Sequence, residues 1–143
     1  MNADLRKYPG TNVVCDARAL PFRKESFDGV KLIHAIEHFD NKEGFAVLSD
    51  IVGVMKAGAE LTVEGPDVEK CMMNFSDKMK GIKWIFGYSE EYLRDKAYGH
   101  KWGYTGEIVS KILKYLGLKI KVVTVGRSHG MPDRDYRVTG VKE

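Results

Sequence analysis

Polar and apolar positions divide the chain into short strands and amphipathic helices. Asn2 to Leu5 reads as the end of a short strand, and Tyr8-Pro9-Gly10 as a turn. Asn12 to Cys15 predicts a second strand, with Asp16 at its carboxyl end. Gly29 to Ile33 is a short apolar run interrupted only by Lys31, which suits a strand buried on both faces of a parallel sheet. Phe45, Leu48, Ile51, Val52 and Met55 recur at three-and-four spacing, so one face of a helix over Lys42 to Lys56 is apolar. Gly58 is expected to cap it in the left-handed conformation. Leu61 to Val63 is the next strand, stopped by Gly65-Pro66. Val68 to Met79 reads as helical, and Ser89 suits the cap of a short helix through Leu93. Thr105 is a good N-cap for a helix carrying Ile108, Val109, Ile112, Leu113 and Leu116, with Gly117 ending it. Lys119 to Val125 and Tyr136 to Val141 are the last strands, joined by the loop Gly126 to Asp135.

Strands alternating with helices predict an α/β domain with a mostly parallel sheet covered by helices on both faces. No helix separates the last two strands, so they form an antiparallel hairpin. At 143 residues, without repeats or linker-like segments, the chain reads as a single domain over residues 1–143.

Composition narrows the picture only a little. Apolar residues make up 43% and charged residues 30%, as in ordinary globular proteins. No apolar run is long enough to span a membrane, and Met1 is followed by polar residues rather than a signal sequence. The expected location is the cytoplasm. A net charge of +3 does not indicate nucleic-acid binding. Cys15 and Cys71 form no C-x-x-C pair and read as packing residues.

Chemistry in an open α/β sheet gathers outside the carboxyl ends of the strands. That rule selects Asp4, Asp16, His34 to His38, and Glu64 to Asp67. Asp4 and Asp16 are acceptor-only when ionised, which suits hydroxyl or amino groups of a ligand. Equally, Asp16 suits a local turn with Ala17 to Leu20. His34-Ala35-Ile36-Glu37-His38 also fits H-x-x-E-H, an inverted zinc-hydrolase signature. That chemistry requires a helix that puts both histidines on one face, and a third ligand. Because the segment directly follows a strand, the sequence argues against it. Tyr98 to Tyr104 suits a lid or a packed loop with Trp102 and Tyr104 buried, and His129 to Asp135 a simple connection.

The stretch Cys15 to His38, with Asp16, Leu20-Pro21-Phe22, Ser26-Phe27-Asp28 and Glu37-His38, resembles class I S-adenosylmethionine (SAM)-dependent methyltransferases of the type 11 kind. The resemblance extends through the terminal hairpin and implies a Rossmann-like sheet. It implies that Asp4 binds the SAM ribose and Asp16 the adenine, beside the backbone of Ala17 and the side chain of Leu20. Ile33, His34 and Ala35 would face the methionine end, and His38 would be the base if one is needed. The family places a strand and a Gly-rich loop before the position of Asp4, and neither is found here, so the domain is expected to be N-terminally truncated. Three outcomes follow: an upstream start, a homodimer covering the exposed sheet edge, or a non-catalytic scaffold that has lost SAM binding. The methyl acceptor is not legible.

Overall fold

A computed structural model describes the chain except for residues 74–77, 88–94, 97–98, 129 and 131–132 and the side chains of 78–80. The helix expected over Ser89 to Leu93, and Tyr98, His129, Met131 and Pro132, lie outside the described residues. β1 (Ala3–Asp4) and β2 (Val13–Val14) pair in parallel as a separate two-stranded sheet. β3 (Phe27–Ile33), β4 (Met55–Pro66), β5 (Leu118–Val125) and β6 (Asp135–Lys142) form a four-stranded sheet in the order β3-β4-β6-β5. β3 runs parallel to β4, whereas β6 is antiparallel to both β4 and β5. The α/β class and the antiparallel terminal hairpin match the sequence expectation, while the sheet expected to be mostly parallel has one parallel and two antiparallel pairings among its four described strands.

α1 (Asn41–Val54) connects β3 to β4. Its start is fixed by Asp40, whose carboxylate accepts from Lys42 N at 2.9 Å and Glu43 N at 2.8 Å, while Glu43 accepts from Asp40 N at 3.4 Å. This reciprocal capping box satisfies donors that the first helical turn cannot use internally. α1 ends two residues before the expected Lys56, because Met55 is already extended and begins β4. Gly58 does adopt the left-handed conformation, at φ +76°, but within β4 rather than as a helix cap. α2 (Val68–Met73) and α3 (Lys78–Phe86) follow β4. α4 (Gly106–Tyr115) begins as expected at Thr105, whose side chain accepts from Ile108 N, and Gly117 follows it at φ +85°.

Alternation along β4 and β6 decides which side is the core. Ala59, Leu61 and Val63 of β4 and Val138 of β6 join Val47, Leu48 and Ile51 of α1 and Val109 and Leu113 of α4 in one buried cluster. Phe45 of α1 and Tyr115 of α4 touch with ring centroids 5.8 Å apart, so both helices share this face. The next residues along these strands point the other way and are polar. Thr62 and Thr139 hydrogen-bond at 3.2 Å, and Lys121 pairs with Glu60. Among the described residues, the helical cover expected on both faces is therefore apolar on one.

β3 also departs from the expectation of burial on both sides. Its described pairing is with β4 alone; Val30 and Leu32 are half-buried, and Asp28, Gly29 and Lys31 are exposed.

Candidate functional site

Four segments meet at the carboxyl end of β3 and β4: the corner after β3, the end of β4, the loop before β6, and residues 99–104. The corner turns sharply. His34 has φ +48°, a left-handed conformation that costs a non-glycine residue energy. Its N–H donates to Glu64 O at 2.8 Å, which holds the turn against β4. Ile36–His38 then forms one 3₁₀ turn, not the helix that a zinc-hydrolase arrangement of His34 and His38 requires.

The His34 side chain points into a group of buried acids. Its Nδ1 lies 3.4 Å from Glu37 Oε1, and its Nε2 lies 3.3 Å from Asp135 Oδ2 and 3.8 Å from Glu64 Oε1. Burial disfavours the charged imidazole, but Asp135 and Glu37 more than offset it and hold its pKa up at about 9. Asp135, which the sequence places in a simple connection, sits fully buried at the start of β6 and within this cluster.

Glu64 organises the loop before β6. Arg127 N and Ser128 N donate to Oε1 at 3.1 and 2.7 Å, and Arg137 Nε donates to Oε2 at 2.6 Å. Glu64 and Arg137 are cross-strand partners in the β4–β6 register. Burial raises the Glu64 pKa, but the Ser128 and Arg137 contacts outweigh it and leave the carboxyl below its ordinary value. Asp135 is likewise matched by Arg134, at 2.6 Å from Nε.

Glu37 is treated differently. It is 3% exposed, and among the described residues neither carboxylate oxygen accepts a hydrogen bond. The hydroxyls of Tyr104 and Tyr136 are also buried, without hydrogen-bond partners among the described residues. Gly65 permits this crowding, since a Cβ there would lie 3.1 Å from Tyr136 OH and 3.2 Å from Glu37 Oε2. Burial and the nearby Glu37 charge push the Tyr104 pKa up to about 12.

Residues 99–104 are anchored to this corner. Lys101 N donates to Glu37 O at 2.8 Å, and Val68 N donates to Tyr104 O at 3.0 Å. His38 Nδ1 donates to Gly99 O at 3.2 Å, and His100 Nδ1 to Ile85 O at 3.1 Å. A carbonyl can only accept, so each Nδ1 carries the proton and each Nε2 the lone pair. The two rings meet edge to face, with centroids 5.2 Å apart. Burial pushes the His100 pKa down, which favours the neutral imidazole. Tyr104 is buried as the packed-loop reading expects, whereas Trp102 is 46% exposed.

The acids assigned to the nucleoside lie apart from this cluster, on the two-stranded sheet. Asp4 ends β1 beside β2, is exposed, and accepts from Arg6 N at 2.9 Å. Asp16 follows β2 and accepts from Arg18 N at 2.9 Å and from its guanidinium at 2.7 Å. Those Arg18 hydrogen bonds draw the Asp16 carboxyl below its ordinary pKa. The local-turn role of Asp16 is thus present, although an exposed ion pair of this kind contributes only about 0–1 kcal/mol. Ala17 and Leu20 are half-buried against the core. Cys71 is fully buried, and burial raises its thiol to about 11.

The fold is shared with known proteins. Residues 2–63 match the methyltransferase domain family. No curated protein matches the chain. A SAM-dependent methyltransferase from Archaeoglobus fulgidus shares the fold with a TM-score of 0.66 at 19% identity, over 98% of this chain and 74% of that one. A SAM-dependent methyltransferase of Thermotoga maritima, described as a possible histamine N-methyltransferase, gives 0.65 at 19% identity, over 94% and 65%. The 1,6-didemethyltoxoflavin-N1-methyltransferase of Burkholderia thailandensis, solved with S-adenosylhomocysteine, gives 0.66 at 13% identity, over 98% and 59%. The present chain thus spans between 59% and 74% of the length of these proteins. It has the class I methyltransferase fold, and residues 2–63 carry the sequence signature of the type 11 kind.

Proposed function

We propose that this domain binds SAM and takes part in methyl transfer to an acceptor. The observation that carries the reading is the placement of Asp4 and Asp16. β1 and β2 are parallel and in register, so both acids emerge from the same edge of adjacent strands, where an open α/β sheet binds ligands. The donor set fits a nucleoside. One exposed and one half-buried carboxylate, Asp4 and Asp16, accept from ribose hydroxyls and an adenine amino group, and Leu20 offers an apolar wall. Asp16 exchanges Arg18 for a ligand at little cost because that ion pair is exposed.

Asp4 holds the ribose, and Asp16 with the Ala17 backbone holds the adenine. Ile33, His34 and Ala35 line the methionine end. The His34 N–H is engaged with Glu64 O, so its part is to shape the corner. When bound, SAM supplies an electrophilic methyl. The protein's main contribution is then alignment, since an in-line approach removes much of the entropic barrier. His38 accepts a proton through Nε2 where the acceptor must lose one.

Amide NMR tests these assignments. Addition of S-adenosylhomocysteine shifts the amide signals of Asp4, Ala17, Leu20 and Ala35 first. Shifts confined to β5 and β6 would refute the placement.

A further inference from the structure

Two groups of ligand-type side chains occur at this end of the sheet, and they differ in what already satisfies them. In the group His34, Glu64 and Asp135, every member has a partner: Arg137 and two backbone N–H groups hold Glu64, Arg134 holds Asp135, and His34 lies among three carboxylates. That group is a closed ion-pair network. The group Glu37, His38 and His100 is not closed, and one ligand-type atom from each residue lies within 4.8 Å of the other two.

Three further features distinguish it. Glu37 is buried, with a side chain 4% exposed; among the described residues His34, with Nδ1 3.4 Å from Oε1 in poor hydrogen-bonding geometry, is its cationic neighbour, and neither carboxylate oxygen accepts a hydrogen bond. A buried carboxylate without a well-formed hydrogen bond carries an energetic cost that a further cation would lower. His38 and His100 both donate Nδ1–H to backbone carbonyls. That is how metal-binding imidazoles are commonly oriented, with the second nitrogen donated to the metal. Finally, the histidines come from separate segments that are tied together by the Lys101 N to Glu37 O bond, so the three side chains are held in place before any ion binds.

We propose that Glu37, His38 and His100 form a binding site for a divalent transition-metal cation, with zinc as the representative ion. Two imidazole nitrogens and one carboxylate oxygen are a ligand set that zinc accepts, at distances of about 2.0–2.2 Å, with a further position open. Hard oxygen-seeking cations such as calcium and magnesium are poorer matches for two imidazoles. With the ion bound, His38 donates its lone pair to the metal and no longer acts as a base. The site does not depend on SAM binding, so SAM binding and metal binding fail separately, whereas the base role proposed for His38 gives way where the metal binds.

The test is titration of chelator-treated full chain with zinc chloride by calorimetry, followed by cobalt(II) substitution read by visible absorption. One zinc per chain is expected, with cobalt bands typical of nitrogen and oxygen ligands. His38→Gln, His100→Gln and Glu37→Gln each weaken binding by at least about tenfold. Circular dichroism of each variant confirms that the fold is retained, and the cobalt spectrum of the unaltered protein serves where a variant does not fold. Absence of stoichiometric zinc overturns the proposal. So does a thiolate charge-transfer band, which would place the metal on cysteine. Binding that is lost in Asp135→Asn but kept in His100→Gln also overturns it, because the ion would then belong to the neighbouring group.

Discussion

Removing the Glu64 side chain should be one of the most damaging single changes in this domain. Glu64 is 0% exposed and accepts from Arg127 N, Ser128 N and Arg137. Glu64→Ala strips these donors of their acceptor and leaves Arg137 without its buried counter-charge. Breaking a buried pair by deleting one partner costs about 3–5 kcal/mol. For a domain of this size that corresponds to a fall in Tm of roughly 10–20 °C. Glu64→Gln keeps the shape and one acceptor oxygen but places an amide against Arg137, so about 1–3 kcal/mol is lost. Because the Glu64 pKa is lowered in the folded protein, its stabilisation is present above the ordinary carboxylate range and is lost as pH falls through the folded value. The stability gap between the unaltered protein and Glu64→Gln therefore narrows on acidification below about pH 4.3. Urea unfolding followed by circular dichroism at several pH values measures both effects. A Glu64→Ala variant within 1 kcal/mol of the unaltered protein at pH 7, on the scale of about 3–5 kcal/mol given above, would refute the reasoning.

Three further outcomes follow from buried packing and helix capping. Tyr136→Phe deletes a buried hydroxyl that has no hydrogen-bond partner among the described residues, so stability changes by less than about 1 kcal/mol in thermal melts. Gly44→Ala replaces glycine in α1, which in an open helix stabilises by about 1 kcal/mol, but the new methyl runs into Tyr104 OH. The variant is therefore destabilised by about 1–3 kcal/mol in urea titrations, and Tyr104→Phe in the same chain recovers part of the loss. Thr105→Ala removes the cap that accepts from Ile108 N and costs about 1 kcal/mol, measured by the same titration.

The elements legible in the sequence are those set by short-range patterns. Thr105 and Gly117 bracket α4 because a side-chain cap and a left-handed glycine are local devices. The end of α1 was less readable, since Val54, Met55 and Ala59 suit a helix face and a buried strand equally well. A further local signal is Asp40-Asn41-Lys42-Glu43, a capping-box pattern that places the helix start at Asn41 rather than Lys42. The candidate metal site lay beyond pattern reading. His38 and His100 are far apart in sequence and meet only because residues 99–104 fold back onto the 3₁₀ turn. Asp135 was hidden for a related reason, as the β4–β6 register brings it opposite Pro66, beside the corner. The places of Asp4 and Asp16 at strand ends are legible because apolar runs stop there.

Calorimetric titration of the full chain with SAM reads out whether the paired strand ends at Asp4 and Asp16 hold the cofactor. Saturable binding of one SAM per chain is expected, strongly weakened in Asp16→Ala while the variant keeps its circular dichroism spectrum. Absence of binding at saturating SAM by a folded chain would rule out this role and favour a non-catalytic scaffold with the methyltransferase fold.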